Sequence, residues 1–210
     1  MSKSAPDVLL LMASGCAHCP GVLNTLQALQ KDGEIAELEA INISQQPEVA
    51  EQYKVRSVPF IKIGDIHLTG AQSRDEIIRA IEQSQADQGL SQYYDDLLNN
   101  GQLDEASNHI NAHPENLSVL LELIQDRDIK ISTQVGIGAI FEELAGSDAL
   151  ISQISSLTEL TKHSLARVRN DACYFLSLTG KPDVKPVIEA LLEDEDAEVR
   201  ETAQDCLQDF

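Results

Sequence analysis

The stretch Gly15-Cys16-Ala17-His18-Cys19-Pro20 decides how the first part of this 210-residue chain folds. Before it, residues 8–13 form a continuous apolar run, which is typical of a strand buried on both faces. After it, apolar residues recur at helical spacing until Gly33 (Val22, Leu23, Leu26 and Leu29). The sequence therefore predicts two cysteines, Cys16 and Cys19, at the junction between a buried strand and a helix.

Strands and helices continue to alternate as far as residue 85. The next elements are a strand, a short helix, two strands joined by a glycine turn, and a last helix after Ser73 (strands at 36–43, 58–63 and 66–68, short helix at 47–54). Ser73 and Glu76 have the spacing of a capping box, which marks where the last helix begins. The order βαβαββα predicts an α/β domain with a parallel first strand pair, a right-handed crossover and an antiparallel edge.

A dithiol at the start of a helix favours thiol–disulfide exchange. The N–H groups and the dipole at a helix N-terminus stabilise a thiolate, and the thiolate is the nucleophile in exchange. We therefore expect Cys16, at or just before the helix start, to be the nucleophile. Cys19, one turn into the helix and less exposed, is expected to be the resolving cysteine, and His18 is expected to tune the Cys16 thiolate. This chemistry requires no cofactor and no bound metal.

The first half resembles the thioredoxin fold over roughly residues 6–83, with a core of glutaredoxin size. The motifs that carry the resemblance are the Cys-x-x-Cys pair, Val58-Pro59 before the third strand and residues 70–73 before the last helix. The resemblance implies that Pro59 is a cis-proline that presents the substrate strand to the dithiol. It also implies an oxidising tendency, because a histidine before the second cysteine goes with oxidising members of the family. This chain differs from thioredoxins by Gly15 before the first cysteine, where they carry a tryptophan, and by Leu10 in place of a buried acid.

The second half shows only helical periodicity and an internal repeat. Residues 131–135, 168–172 and 199–203 match at intervals of 37 and 31 residues, which is typical of a helical solenoid. Residues 179–200 resemble a HEAT repeat of the phycobilisome-lyase type, which implies a protein-binding array. We predict two domains, an α/β thioredoxin-like fold at residues 1–85 and an all-α HEAT-like solenoid at residues 91–210, joined by a linker at residues 86–90.

The net charge argues against two classes of partner. The chain holds 35 Asp+Glu against 15 Lys+Arg, a formal net charge of −20. Nucleic acids and anionic membrane surfaces both select basic proteins, and the longest apolar run is far shorter than the roughly 20 residues that span a bilayer. We expect a cytoplasmic protein with no nucleic-acid or membrane partner, because the N-terminus also lacks the pattern of a signal peptide.

These observations predict a thiol–disulfide oxidoreductase whose HEAT-like array recruits a protein client that carries a disulfide or a thiol. The main alternative is a non-catalytic adaptor whose thioredoxin fold is a docking or redox-switch module. Soft-metal binding by the dithiol and an inactive thioredoxin fold are weaker alternatives. The acidic helical half is either a solvated surface or a dock for a basic protein. Cys173 and Cys206 lie on apolar helix faces and are expected to be structural, with a second thiol relay as the alternative.

Overall fold

The structure, a computed structural model, describes residues 4–210 and divides into two compact units. The first unit extends to Tyr94, and the second comprises Asp95–Phe210. The first is an α/β unit and the second is helical, which confirms the predicted fold class. Within the described residues, no helix is both long enough and apolar enough to cross a bilayer.

The first unit has the predicted order of elements. It comprises β1 (Val8–Met12), α1 (Cys19–Lys31), β2 (Leu38–Asn42), α2 (Pro47–Gln52), β3 (Phe60–Ile63), β4 (Ile66–Thr69) and α3 (Arg74–Gln85), followed by α4 (Gly89–Asn99). The predicted capping box forms at α3, because the Glu76 N–H donates to the Ser73 hydroxyl and the Ser73 N–H donates to the Glu76 carboxylate.

The four strands form one mixed sheet in the order β2-β1-β3-β4. β1 runs parallel to β2, and β3 runs antiparallel to both β1 and β4. α1 packs against β2, while α3 packs against β3 and β4. The core of the unit consists of fully buried side chains from these elements, among them Leu10, Leu26, Ile61, Ile63 and Ile77. β1 is an interior strand of the sheet and ends at Met12, and the loop that carries Cys16 follows at its carboxyl end.

The division between the units falls inside α4, later than the linker that we predicted at residues 86–90. Only residues 86–88 separate α3 from α4. The Tyr93 hydroxyl donates to the carbonyl oxygen of His67 at 2.8 Å, which fastens the first part of α4 to β4. The domain boundaries at residues 85 and 91 stay a prediction.

The second unit consists of short helices. Its helices after α4 are α5 (Leu103–Ala112), α6 (Leu117–Leu123), α7 (Ile131–Glu143), α8 (Asp148–Ile151), α9 (Ile154–Leu160), α10 (Ala166–Ser177), α11 (Lys185–Ala190) and α12 (Ala197–Cys206). α10 packs between α7 and α12, and α9 and α11 pack against α10. Two aromatic rings, Phe141 of α7 and Phe175 of α10, stack with their centroids 4.1 Å apart. Gly136 lets the Leu98 side chain approach the backbone of α7 closely. A Cβ atom at position 136 would lie only 2.7 Å from Cδ2 of Leu98.

The register of the internal repeat differs from our prediction in α7. Val168 and Val199 are each the third residue of their helices and are fully buried, as the matched pattern predicts. The third residue of α7 is Thr133, which is also fully buried and donates to Asp95, whereas Ile131 and Val135 are 80% and 66% exposed. The apolar match at residues 131–135 therefore lies two residues out of register with the buried face of its helix.

A buried ion pair connects α10 to the chain that leads into α12. Arg169 is only 7% exposed, and its guanidinium donates to both carboxylate oxygens of Asp194, at 2.7 and 2.8 Å. The same guanidinium donates to the carbonyl oxygen of His163 at 2.9 Å. These hydrogen bonds satisfy the buried charges, as an interior ion pair requires.

Candidate active site

The loop between β1 and α1 carries the two cysteines. Gly15 has φ +84°, a left-handed conformation that suits glycine. It occupies the position before the first cysteine, where we noted that thioredoxins carry a tryptophan. α1 begins at Cys19, with His18 as its N-cap and Pro20 in its first turn. Cys19 is therefore the first helical residue, not one turn into the helix as we predicted, because Pro20 favours the first turn of a helix. Cys16 lies three residues before it.

Cys16 and Cys19 form a disulfide with an S–S distance of 2.18 Å. Cys16 is half-buried and Cys19 is only 3% exposed, so the first cysteine is the more accessible of the two. The backbone N–H of Cys19 donates to Sγ of Cys16 at 3.1 Å. This N–H group belongs to the first turn of α1, where the helix dipole is positive. A donor of this kind at the positive end of a helix is the feature that favours a thiolate on the accepting sulfur.

The segment before β3 lies beside the disulfide. The Val58–Pro59 peptide bond is cis, Pro59 is buried, and the carbonyl oxygen of Val58 lies 3.8 Å from Sγ of Cys16. The Gly70 N–H donates to the carbonyl oxygen of Pro59 at 2.8 Å, which anchors this segment to the end of β4. Pro59 thus lies next to the dithiol, where the resemblance implies a substrate strand.

His18 is exposed, and its side chain makes no capping hydrogen bond to α1. Its position at the helix start is the one that we predicted. Its tuning role stays a prediction, as do the roles of Cys16, Cys19 and Pro59.

Three polar residues support the loop, and our sequence analysis did not identify them. The Ser14 N–H donates to the Ser44 hydroxyl at 3.0 Å, and the Asn42 side chain donates to the Ser14 hydroxyl at 3.2 Å. Asn42 also accepts from the Ser44 N–H, so the three residues form one network. The sequence does carry a signal for it, since polar residues that follow two parallel neighbouring strands lie at the same sheet edge.

Comparison with known proteins agrees with this geometry. The family model described as Thioredoxin domain matches residues 7–83. Thioredoxin of Methanocaldococcus jannaschii is 30% identical over 81 residues, which cover 38% of this chain and 95% of that relative. The match to the family model ends at residue 83, before the second unit begins. The HEAT-like character of the second unit therefore stays a prediction. Through its first unit, the chain belongs to the thioredoxin family.

Proposed function

We propose that the protein is a thiol–disulfide oxidoreductase that works through Cys16 and Cys19. The observation that carries this proposal is the Cys19 N–H donated to Sγ of Cys16 at the start of α1. In the reducing direction, the Cys16 thiolate attacks a substrate disulfide, forms a mixed disulfide and releases one substrate thiolate. The Cys19 thiolate then attacks Sγ of Cys16 and releases the second substrate thiolate. Two electrons pass to the substrate, and the Cys16–Cys19 disulfide remains. The oxidising direction is the reverse of these steps.

The segment before β3 is proposed to bind the substrate strand. The Val58 carbonyl oxygen lies close to Sγ of Cys16, so backbone groups of this segment are within reach of a peptide whose disulfide approaches Cys16. A strand held there by main-chain hydrogen bonds would be recognised largely independently of its sequence. Pro59 is proposed to shape this segment.

The reduction midpoint of the Cys16–Cys19 pair tests exchange. We expect a reversible two-electron midpoint above that of thioredoxin, about −270 mV, and below that of the strongest oxidant, about −120 mV. The variant Cys173→Ser/Cys206→Ser should be equilibrated with defined thiol buffers, trapped by alkylation and weighed by mass spectrometry. His18→Ala in the same background should lower the midpoint, because a group that stabilises the thiolate is lost.

The outcomes separate the components of this proposal. A midpoint as low as that of thioredoxin contradicts the oxidising tendency but not the exchange chemistry. A pair that never forms a reversible disulfide contradicts exchange itself and favours the adaptor or metal-binding alternatives.

The second unit is proposed to be a HEAT-like array that recruits the protein client. The supporting observation is an exposed apolar pair one helical turn apart, Ile131 and Val135 of α7. Large apolar side chains so exposed are typical of interaction sites when they lie together. Residues 86–210 hold 24 Asp+Glu against 8 Lys+Arg, so we propose that the client is basic.

A trapping experiment tests recruitment. Cys19→Ser in the full chain leaves Cys16 joined to its substrates, and the trapped proteins can be quantified with and without Ile131→Ser/Val135→Ser. We expect the double serine variant to lower client capture about tenfold, because it removes an apolar anchor. Capture of a small synthetic disulfide should not change. Leu192→Ser, at a less exposed apolar residue, is the matched control.

If Cys19→Ser captures as much client with the Ile131→Ser/Val135→Ser substitutions as without them, recruitment through α7 is contradicted. Partners that bind the Cys16→Ser/Cys19→Ser variant as tightly as the wild type, and that form no mixed disulfide with Cys19→Ser, would support the adaptor alternative.

A further inference from the structure

The two cysteines outside the active site are partners in the second unit. Cys173 lies on α10 and Cys206 is the last residue of α12, and they are 0% and 5% exposed. Cys206 lies close enough to Cys173 to be the main cause of the raised pKa of the Cys173 thiol. Their helices pack directly against one another. The sequence led us to expect that both cysteines are structural, with a second thiol relay as the alternative, and the fold packs the two helices that carry them against each other.

The thiol pair lies beside another link between the same parts of the unit. Arg169 precedes Cys173 by four residues, so both side chains lie on one face of α10. Arg169 binds Asp194, two residues before the cap of α12, and Cys173 contacts the last residue of α12. α10 therefore meets the α12 segment at two positions, one of which is the Arg169–Asp194 ion pair.

We propose that Cys173 and Cys206 form a second, reversible disulfide that cross-links α10 to α12. The oxidant is a small disulfide such as oxidised glutathione. One cysteine, as its thiolate, attacks that disulfide, forms a mixed disulfide and releases one glutathione thiolate. The other cysteine loses its proton, attacks the protein sulfur of the mixed disulfide and releases the second glutathione thiolate. Two protein thiols have then given two electrons and two protons, and one protein disulfide and two glutathione thiols result.

The surroundings of the pair determine how fast this reaction proceeds. The hydrogen bond with Cys206 and, after it, burial raise the pKa of Cys173 far above its ordinary value. The thiol is therefore neutral near pH 7, and a neutral thiol is a poor nucleophile. Oxidation requires α12 to separate briefly from α10, so this disulfide forms more slowly than the one between Cys16 and Cys19. The slow step makes the pair sensitive to prolonged oxidation rather than to rapid turnover.

The full-length variant Cys16→Ser/Cys19→Ser tests this proposal independently of the proposed function, because only Cys173 and Cys206 remain. After incubation with oxidised glutathione, we expect a mass lower by two hydrogen atoms and one proteolytic fragment in which the two cysteines are joined. The Cys173–Cys206 disulfide should form faster in urea at concentrations below the unfolding transition, and dithiothreitol should reduce it again. The cross-link should raise Tm by about 5–10 °C, because it restricts the unfolded chain.

Single variants in the same background are the controls. With Cys173→Ser or Cys206→Ser, we expect at most a glutathione adduct and no rise in Tm. The proposal is overturned if the variant that keeps both Cys173 and Cys206 gives only glutathione adducts. It is also overturned if that variant does not react at all at urea concentrations at which circular dichroism shows a folded chain.

Discussion

Cys16→Ser will lower the rate of disulfide exchange by about 10³-fold or more, because it removes the nucleophile from the reaction. The first step requires a thiolate at the position where Cys16 accepts the Cys19 N–H, and a serine hydroxyl is not ionised there near neutral pH. The rate should be measured in a single turnover, with the reduced protein mixed with a chromogenic disulfide and the released thiol followed over time.

Cys19→Ser is the informative partner of this variant. It keeps the nucleophile, so the first thiol should be released at a rate within about tenfold of the wild-type rate. The mixed disulfide on Cys16 should then persist, because no second thiol is present to displace the substrate. If Cys16→Ser forms mixed disulfides as readily as Cys19→Ser, the assignment of the two roles is wrong. Cys206→Ser controls for reactions in the second unit.

The second large effect is expected at the buried ion pair of the helical unit. Arg169→Met should lower the free energy of unfolding by about 3–5 kcal/mol, since it leaves the carboxylate of Asp194 buried without its partner. The side chain of Asp194 is only 8% exposed, so water does little to replace the two lost hydrogen bonds. Urea unfolding followed by circular dichroism measures the change.

Arg200→Met is the matched control, because Arg200 follows Val199 as Arg169 follows Val168. Arg200 is exposed and donates to the carbonyl oxygens of Asp194 and Glu195, so its loss should cost about 1 kcal/mol. Equal losses at the two arginines would show that burial does not set the strength of the Arg169–Asp194 pair.

The same pair predicts a dependence of stability on pH. The hydrogen bonds from Arg169 lower the pKa of Asp194 below its ordinary value. A carboxyl group whose pKa is lower in the folded protein stabilises the fold above its unfolded pKa, about 3.9, and the contribution is lost as the pH falls through the folded value. The difference in stability between wild type and Arg169→Met should therefore be constant near neutral pH and shrink in the acidic range, as Asp194 takes up a proton and loses its charge. A difference that stays constant down to about pH 2 would contradict this linkage.

The first unit could be predicted from the sequence because its signals are local and redundant. The apolar run before Cys16, the glycine turn at residues 64–65 and the Ser73 capping box each indicate one element, and together they define the order. The helix start was predicted one turn too early, because the prediction rested on the Cys-x-x-Cys spacing and not on Pro20, which favours the first turn of a helix. The Ser14–Asn42–Ser44 network depends on the pairing of β1 with β2, which the sequence implies only indirectly.

The packing of the second unit could not be predicted from its sequence. Helices could be predicted there, but α7 is apolar on several faces, so its composition does not identify the buried one. The exposed Ile131 and Val135 matched the repeat better than the buried Thr133 did. The contact between Cys173 and Cys206 depends on how α10 packs against α12, which no local pattern encodes. Packing between helices, rather than helix formation, is what the sequence leaves undetermined.

The close approach of Leu98 to Gly136 also constrains how this chain can vary over evolution. The two positions share one volume, since a methyl group at position 136 would lie within 3.4 Å of three Leu98 side-chain atoms. A larger residue in α7 is therefore compatible with this packing only when a smaller one replaces Leu98 in α4. Among related proteins that keep the same packing, these two positions should change together, so that the summed side-chain size is conserved while neither identity is.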